Sequence, residues 1–255
     1  MRGKKKPRTK DPAAYRKRTY RQFIDHAGLI SFQVRIRETD LHVMADADLT
    51  GQVFDLVLRY RSQLENYIAK NPEFLSALTP LPPDPLAPAI VKSMLQAGEA
   101  AKVGPMAAVA GALAEFVGKD LLAAETSEII IENGGDIFLN RRKDCTIGIF
   151  AGASPLSNRL GIIIPAARMP MGICTSSGTV GHSLSYGKAD AATVLAPSTS
   201  LADAVATRVG NEIKKSGDID QALALAQTIP GVSGVLVIHE EQLGAWGEVE
   251  LVSLS

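Results

Sequence analysis

The sequence is short of cysteine, aromatic residues and long apolar runs, and each shortage removes a class of protein. Only Cys145 and Cys174 occur, 29 positions apart with no metal-ligand spacing around them, so neither a zinc site nor a disulfide framework is expected. That suits a reducing compartment, and a cytoplasmic location is expected. No segment offers ~20 uninterrupted apolar residues, and the N-terminus lacks the apolar stretch of a signal peptide, so neither membrane insertion nor secretion is expected. Aromatic residues make up 5% of the chain, and no aromatic stacking platform follows its basic start. Net charge is also missing, but the zero hides an asymmetry. Residues 1–21 hold 10 Lys or Arg against a single acid, leaving 17 basic and 26 acidic residues for the rest. The run Arg2, Lys4, Lys5, Lys6, Arg8 and Lys10 can touch nucleic acid or an acidic partner. With no basic face behind it, it reads more simply as a flexible, solvated tail, and nucleic acid is not the expected partner.

What remains is enough for a core: 255 residues with 46% hydrophobic content. Alternating apolar residues predict strands over 29–36 and 41–45, joined by a turn at 37–40. Val53, Leu56, Tyr60, Leu64 and Ile68 then recur at helical spacing, predicting a helix over 49–69 that Asn71 and Pro72 end. Five prolines between 79 and 88 make that stretch a connection. Helices are predicted over 88–102 and 105–122, the second carrying a row of small residues suited to close packing. Short strands are predicted over 128–132, 135–139, 146–150, 160–165 and 192–195. Helices follow over 201–215 and 219–228, and strands close the chain over 235–239 and 249–252. Strand groups flanking helix groups without steady alternation predict an α+β domain over 22–255 with a largely antiparallel sheet.

Four clusters carry chemistry. Gly134, Gly135 and Asp136 form a turn whose backbone N–H groups can hold an anion, although Asn-Gly-Gly-Asp is equally a good hairpin turn. Residues 172–190, read as a loop, bring together Thr175, Ser176, Ser177, Gly178 and Thr179, donors suited to phosphate, ribose or flavin oxygens. His182 in the same stretch can donate to a pyrophosphate or move a proton near neutral pH. Asp203 and Thr207, four apart, share one face of a helix and can offer a carboxylate and a hydroxyl to Mg2+. The competing account has Ser200 capping that helix, with Asp203 completing a capping box. Cys174 is either an activated thiol, as a sulfur carrier would need, or a small buried hydrophobe.

In this order the clusters resemble the ApbE-type FAD:protein FMN transferases, and more closely an ApbE-like branch of anaerobic bacteria and archaea. "ENGGDI" resembles the family's Gly-Gly-Asp strand motif, "CTSSG" its Thr-Ser-Gly loop, with His182 as the histidine that follows, and "LAPSTSLADAVAT" its metal-binding helix. The resemblance implies a tunnelling-type α+β fold (T-fold), FAD and Mg2+ as ligands, and a protein acceptor. It also implies that Asp203, Thr207 and the Ala107 carbonyl hold the metal, the last from "GPMAAVAGA". The transferases continue with Asp-Pro after the histidine, where this chain has Ser183, Leu184, Ser185 and Tyr186. Four functions compete on this reading: a Mg2+-dependent flavin or nucleotidyl transferase, a binder of flavin, nucleotide or pterin, a sulfur-handling accessory protein and, last, a nucleic-acid binder. Homo-oligomers formed through sheet edges are a further expectation.

Overall fold

The structure is a computed structural model that describes residues 24–179 and 186–254. The tail at 1–21 and His182 therefore lie outside the described residues. Strands β1 (Ile30–Ile36) and β2 (Thr39–Ala45) form a hairpin whose turn is only Arg37 and Glu38, with Arg37 at φ 53. Helix α1 (Thr50–Lys70) buries Val53, Val57, Tyr60 and Leu64, the stripe that the helical spacing predicts apart from Val57, which stands in place of Leu56. A short helix, α2 (Glu73–Ser76), leads into the proline-rich connection, and α3 (Ala89–Ala101) follows. The predicted helix over 105–122 is two pieces, a 3-10 turn (Pro105–Ala108) and then α4 (Val109–Ala124).

Eight strands make one fully antiparallel sheet in the order β1-β2-β3-β4-β7-β8-β9-β10. They include β3 (Ile129–Asn133), β4 (Asp136–Asn140), β7 (Met171–Ser176), β8 (Ala191–Ala196), β9 (Gly234–His239) and β10 (Gln242–Gly247). A second sheet of three strands, β11 (Glu250–Ser253), β6 (Leu160–Ile164) and β5 (Cys145–Gly148), covers one face of the first. Helices α1, α3, α4, α5 (Thr199–Glu212) and α6 (Ile219–Gln227) belong to the other face.

The central strands are apolar on both sides because both faces are covered. Ile129 and Ile131 point into the helix-side core, and Ile130, between them, points into the core between the sheets. Two further segments differ from expectation. Residues 172–176, read as loop because hydroxyls and glycine outnumber apolar groups, are strand β7 in the middle of the large sheet. Strand β10 was missed because its glycines and polar residues lack an alternating pattern.

Candidate functional site

The site is built where α4 and α5 begin, against the turn between β3 and β4. That turn has two residues, Gly134 at φ 72 and Gly135 at φ 107, both in the region that favours glycine. Gly135 donates its N–H to Glu132 (Oε1, 2.8 Å), and its carbonyl accepts from the Thr175 N–H at 3.1 Å. The hairpin therefore docks on β7, and one of the N–H groups expected to hold an anion is already used. Asn133 reaches from β3 to the Ala110 carbonyl at the start of α4 (3.0 Å).

Asp203 is not part of a capping box on its own helix. Ser198 is the N-cap of α5, its hydroxyl accepting from the Leu201 N–H at 3.3 Å, so Asp203 falls beyond the first turn. Its carboxylate instead accepts from the Gly111 N–H (2.8 Å) and the Ala110 N–H at the start of α4. The approach is close because Gly111 has no side chain: a Cβ there would lie 2.5 Å from the Thr199 carbonyl oxygen and 2.8 Å from the Asp203 Cβ. Burial pushes the Asp203 carboxyl up to about 7, against the pull of its two N–H donors. Asp136 is likewise buried and is raised well above the ordinary carboxylate range, first by burial and then by the Asp203 charge, with Glu132 adding to it. Neither Asp136 nor Asp203 makes an ion pair with another described residue.

Cys174 lies in the same corner, fully buried, between the Thr199 carbonyl oxygen (3.5 Å) and the Asp136 carboxylate. Burial pushes its thiol well up, and the neighbouring charges of Asp136 and Asp203 push the same way. That is the reverse of what a nucleophile or sulfur carrier requires.

The hydroxyl-rich stretch divides. Thr175 points away from α5 and pairs with the Thr193 hydroxyl at 2.9 Å. Ser176 points toward α5, where a Cβ on Gly210 would lie 3.5 Å from its Oγ. Beyond the strand, the Thr179 hydroxyl donates to Asp190 at 3.1 Å and its N–H to the Ser177 hydroxyl at 3.2 Å, while the Gly178 N–H goes to the Ala189 carbonyl at 2.9 Å. Gly178, Gly187 and Gly210 stack backbone on backbone: a Cβ on Gly178 would lie 2.2 Å from the Gly187 carbonyl oxygen, and one on Gly187 1.7 Å from that of Gly210. Most of these donors are thus spent within the chain. Among the described residues, the Ser176 and Thr207 hydroxyls have no hydrogen-bond partner.

Asp203, Thr207 and Gly210 succeed one another along one face of α5, a strip of about 10 Å at 1.5 Å per residue. Ala107 sits in the 3-10 turn just ahead of Ala110 and Gly111. The structure therefore brings together Asp136, Asp203, Gly134 and Gly135 with the segment following Ala107, and sets Ser176 and the 177–179 segment toward the far end of the strip. No group of three or more His, Cys, Asp or Glu side chains arranged for a metal occurs among the described residues, so a metal here needs hydroxyl and carbonyl ligands as well. Glu115, Asn133 and Glu132 organise the corner and were missed. A lone acid in the apolar run "AGALAEFVG" was the available signal for Glu115.

Comparison with known proteins gives the family and the fold. A family model described as AbpE bacteria matches residues 21–238. The UPF0280 protein of Methanococcus aeolicus is 43% identical over 226 residues, covering 87% of this chain and 91% of its own. That of Methanosarcina acetivorans is 38% identical over 221 residues, covering 86% and 87%. The crystal structure of the Pseudomonas stutzeri flavinyl transferase ApbE, apo form, superposes with a TM-score of 0.55 at 16% identity, covering 86% of this chain and 93% of the other.

Proposed function

The chain belongs to the family described as AbpE bacteria, and from that membership we propose that it binds FAD or another phosphate-bearing nucleotide together with Mg2+. On the same reading it transfers a flavinyl or nucleotidyl group to an acceptor, which includes a protein acceptor, and its α+β fold is the tunnelling type. The observation that carries the reading is the pair of buried carboxylates, Asp136 and Asp203, side by side at the start of α4. Two such groups repel unless a proton or a cation lies with them. Asp203, the Thr207 hydroxyl and the Ala107 carbonyl make an all-oxygen donor set, the chemistry a hard divalent cation prefers. When bound, Mg2+ supplies positive charge against which a phosphate can develop negative charge.

The residues of the chain supply the rest. Asp203 keeps lone pairs for a ligand after accepting two N–H bonds, because a carboxylate offers about four such sites. Ser176 and Thr207 offer hydroxyls that no described neighbour uses, and Gly134 with Asp136 borders the same corner. Within the set of Gly134, Gly135, Asp136 and residues 175–179, we assign direct ligand contact first to Ser176 and to the backbone at Gly134. His182 is assigned the phosphate-facing donor or proton carrier.

Isothermal titration of purified protein with FAD tests the reading. Binding is expected with Mg2+ and not without it, and Asp203→Ala is expected to remove that dependence. Absence of FAD binding in the presence of Mg2+ would eliminate the flavin form of the proposal. A second reading, a binder that holds the nucleotide without transferring it, is favoured by one observation: Asp203 already closes the start of α4. Saturable binding with no release of AMP over hours would select it.

A further inference from the structure

Helices α4 and α5 close one another's starts. A helix leaves its first four N–H groups without partners inside the helix. At α4 these include Ala110 and Gly111, whose N–H groups go to Asp203 of α5. At α5 the Ser200 N–H goes back to Glu115 of α4 at 2.9 Å, and the same Oε2 receives the Ser198 and Ser200 hydroxyls, both at 3.1 Å. The other oxygen of Glu115 takes the Lys119 ammonium at 2.5 Å. Glu115 is itself buried, 3% exposed, in a helix face otherwise made of Ala, Leu, Val and Gly.

Gly111 and Glu115 are one turn apart on α4, and Ser200 and Asp203 nearly one turn apart on α5. The two contacts thus form a closed ring, running from Gly111 along α4 to Glu115, across to Ser200, along α5 to Asp203 and back to Gly111. A single cross-link lets two helices pivot, whereas two links one turn apart fix both slide and rotation. The helices also touch backbone to backbone at Gly111 and Thr199, so a small slide moves the Asp203 carboxylate directly. We propose that Glu115 is a positioning residue: by holding the start of α5 to α4, it sets where the Asp203 carboxylate stands. It touches no ligand. Its consequence for metal binding rests on the reading above, but its effect on Asp203 does not.

The test uses Glu115→Ala and Glu115→Gln in the full chain, with two readouts. The first is hydrogen exchange of the Gly111 amide measured against that of Val194 in the centre of the sheet. The second is Mn2+ affinity by titration. Glu115→Ala is expected to speed Gly111 exchange about tenfold more than Val194 exchange and to weaken Mn2+ binding about tenfold, the size of the single Gly111–Asp203 hydrogen bond that it loosens. Glu115→Gln keeps an oxygen for the Ser200 N–H and is expected to stay within about threefold of wild type in both. Equal acceleration at Gly111 and Val194 would mean a merely structural role and overturns the proposal, as does a folded Glu115→Ala with an unaltered Gly111 amide. Should Glu115→Ala fail to fold, Ser200→Ala removes one donor from the same oxygen. It is expected to shift Gly111 exchange in the same direction, and an unmoved Gly111 there overturns the proposal. Wild-type protein that binds no Mn2+ would count against the metal reading, while the exchange comparison still decides the role of Glu115.

Discussion

At the scale of single residues, Asp203 decides most. Burial raises its carboxyl from the ordinary 3.8 to about 7, so between those values the folded chain holds a proton that the unfolded chain has released. The stability this brings is fully present below the unfolded value and is lost as pH rises through about 7. Without Mg2+, the wild type is therefore expected to lose stability relative to Asp203→Asn from about pH 4 to about pH 7, by a few kcal/mol at most. Added Mg2+ is expected to recover part of that loss. Urea unfolding of both proteins across this range measures it, and two curves that stay parallel would contradict it. The cysteines give a second expectation. Both are free and buried, and burial raises both thiols, that of Cys145 to about 12. A thiol reagent is expected to leave them unmodified in native protein and to label both in urea, and rapid native labelling of Cys174 would revive a sulfur-handling role. The four-residue spacing of Asp203 and Thr207 puts both on one helix face and leaves a capping box as its competing account, which the Ser198 N-cap removes. The sequence did not carry the partner of Asp203, because Gly111 lies 92 positions away and only folding brings the two together.

At the scale of elements, the row of small residues in α4 has a packing role. A Cβ on Gly111 would meet α5, and one on Gly118 would lie 2.2 Å from the Phe138 ring of β4. Gly111→Ala is expected to destabilise the protein by about 1–3 kcal/mol through overpacking, read as a lower urea midpoint. Loss of the N-cap in Ser198→Ala is expected to cost about 1 kcal/mol, and an unchanged midpoint would show that Glu115 alone closes the start of α5. Most elements were legible because their apolar residues recur at a period of two or near 3.6. Strand β7 was not, because Gly172, Cys174 and Ser176 stand where a central strand usually carries large apolar groups. They are small because α5 lies directly on them: a Cβ on Gly172 would lie 2.4 Å from the Thr199 Cα. The same close contact that hides the strand from pattern reading brings α5 onto β7 at the candidate site.

At the scale of the whole molecule, the three layers explain why the candidate site sits at one end of the sheet. The strands between β2 and β9 are buried on both faces, leaving polar groups to gather at the β3–β4 turn and at the end of β7. Among the described residues no single helix is long and apolar enough to cross a membrane. The α+β class with an antiparallel sheet follows from the order of strands and helices in the sequence, whereas the three-stranded second sheet does not. Its strands β5, β6 and β11 are separated by up to 101 residues, and no local pattern pairs them.

The proposed corner for a cation lies between Asp203, Asp136, Thr207 and the start of α4. Titration of isotope-labelled protein with Mn2+, followed by paramagnetic broadening of amide signals, tests it most directly. Gly111, Gly135 and Thr207 are expected to broaden first, α6 and β10 to stay sharp, and Asp203→Ala to abolish the pattern. Broadening confined to surface acids, or the same broadening in Asp203→Ala, would contradict it.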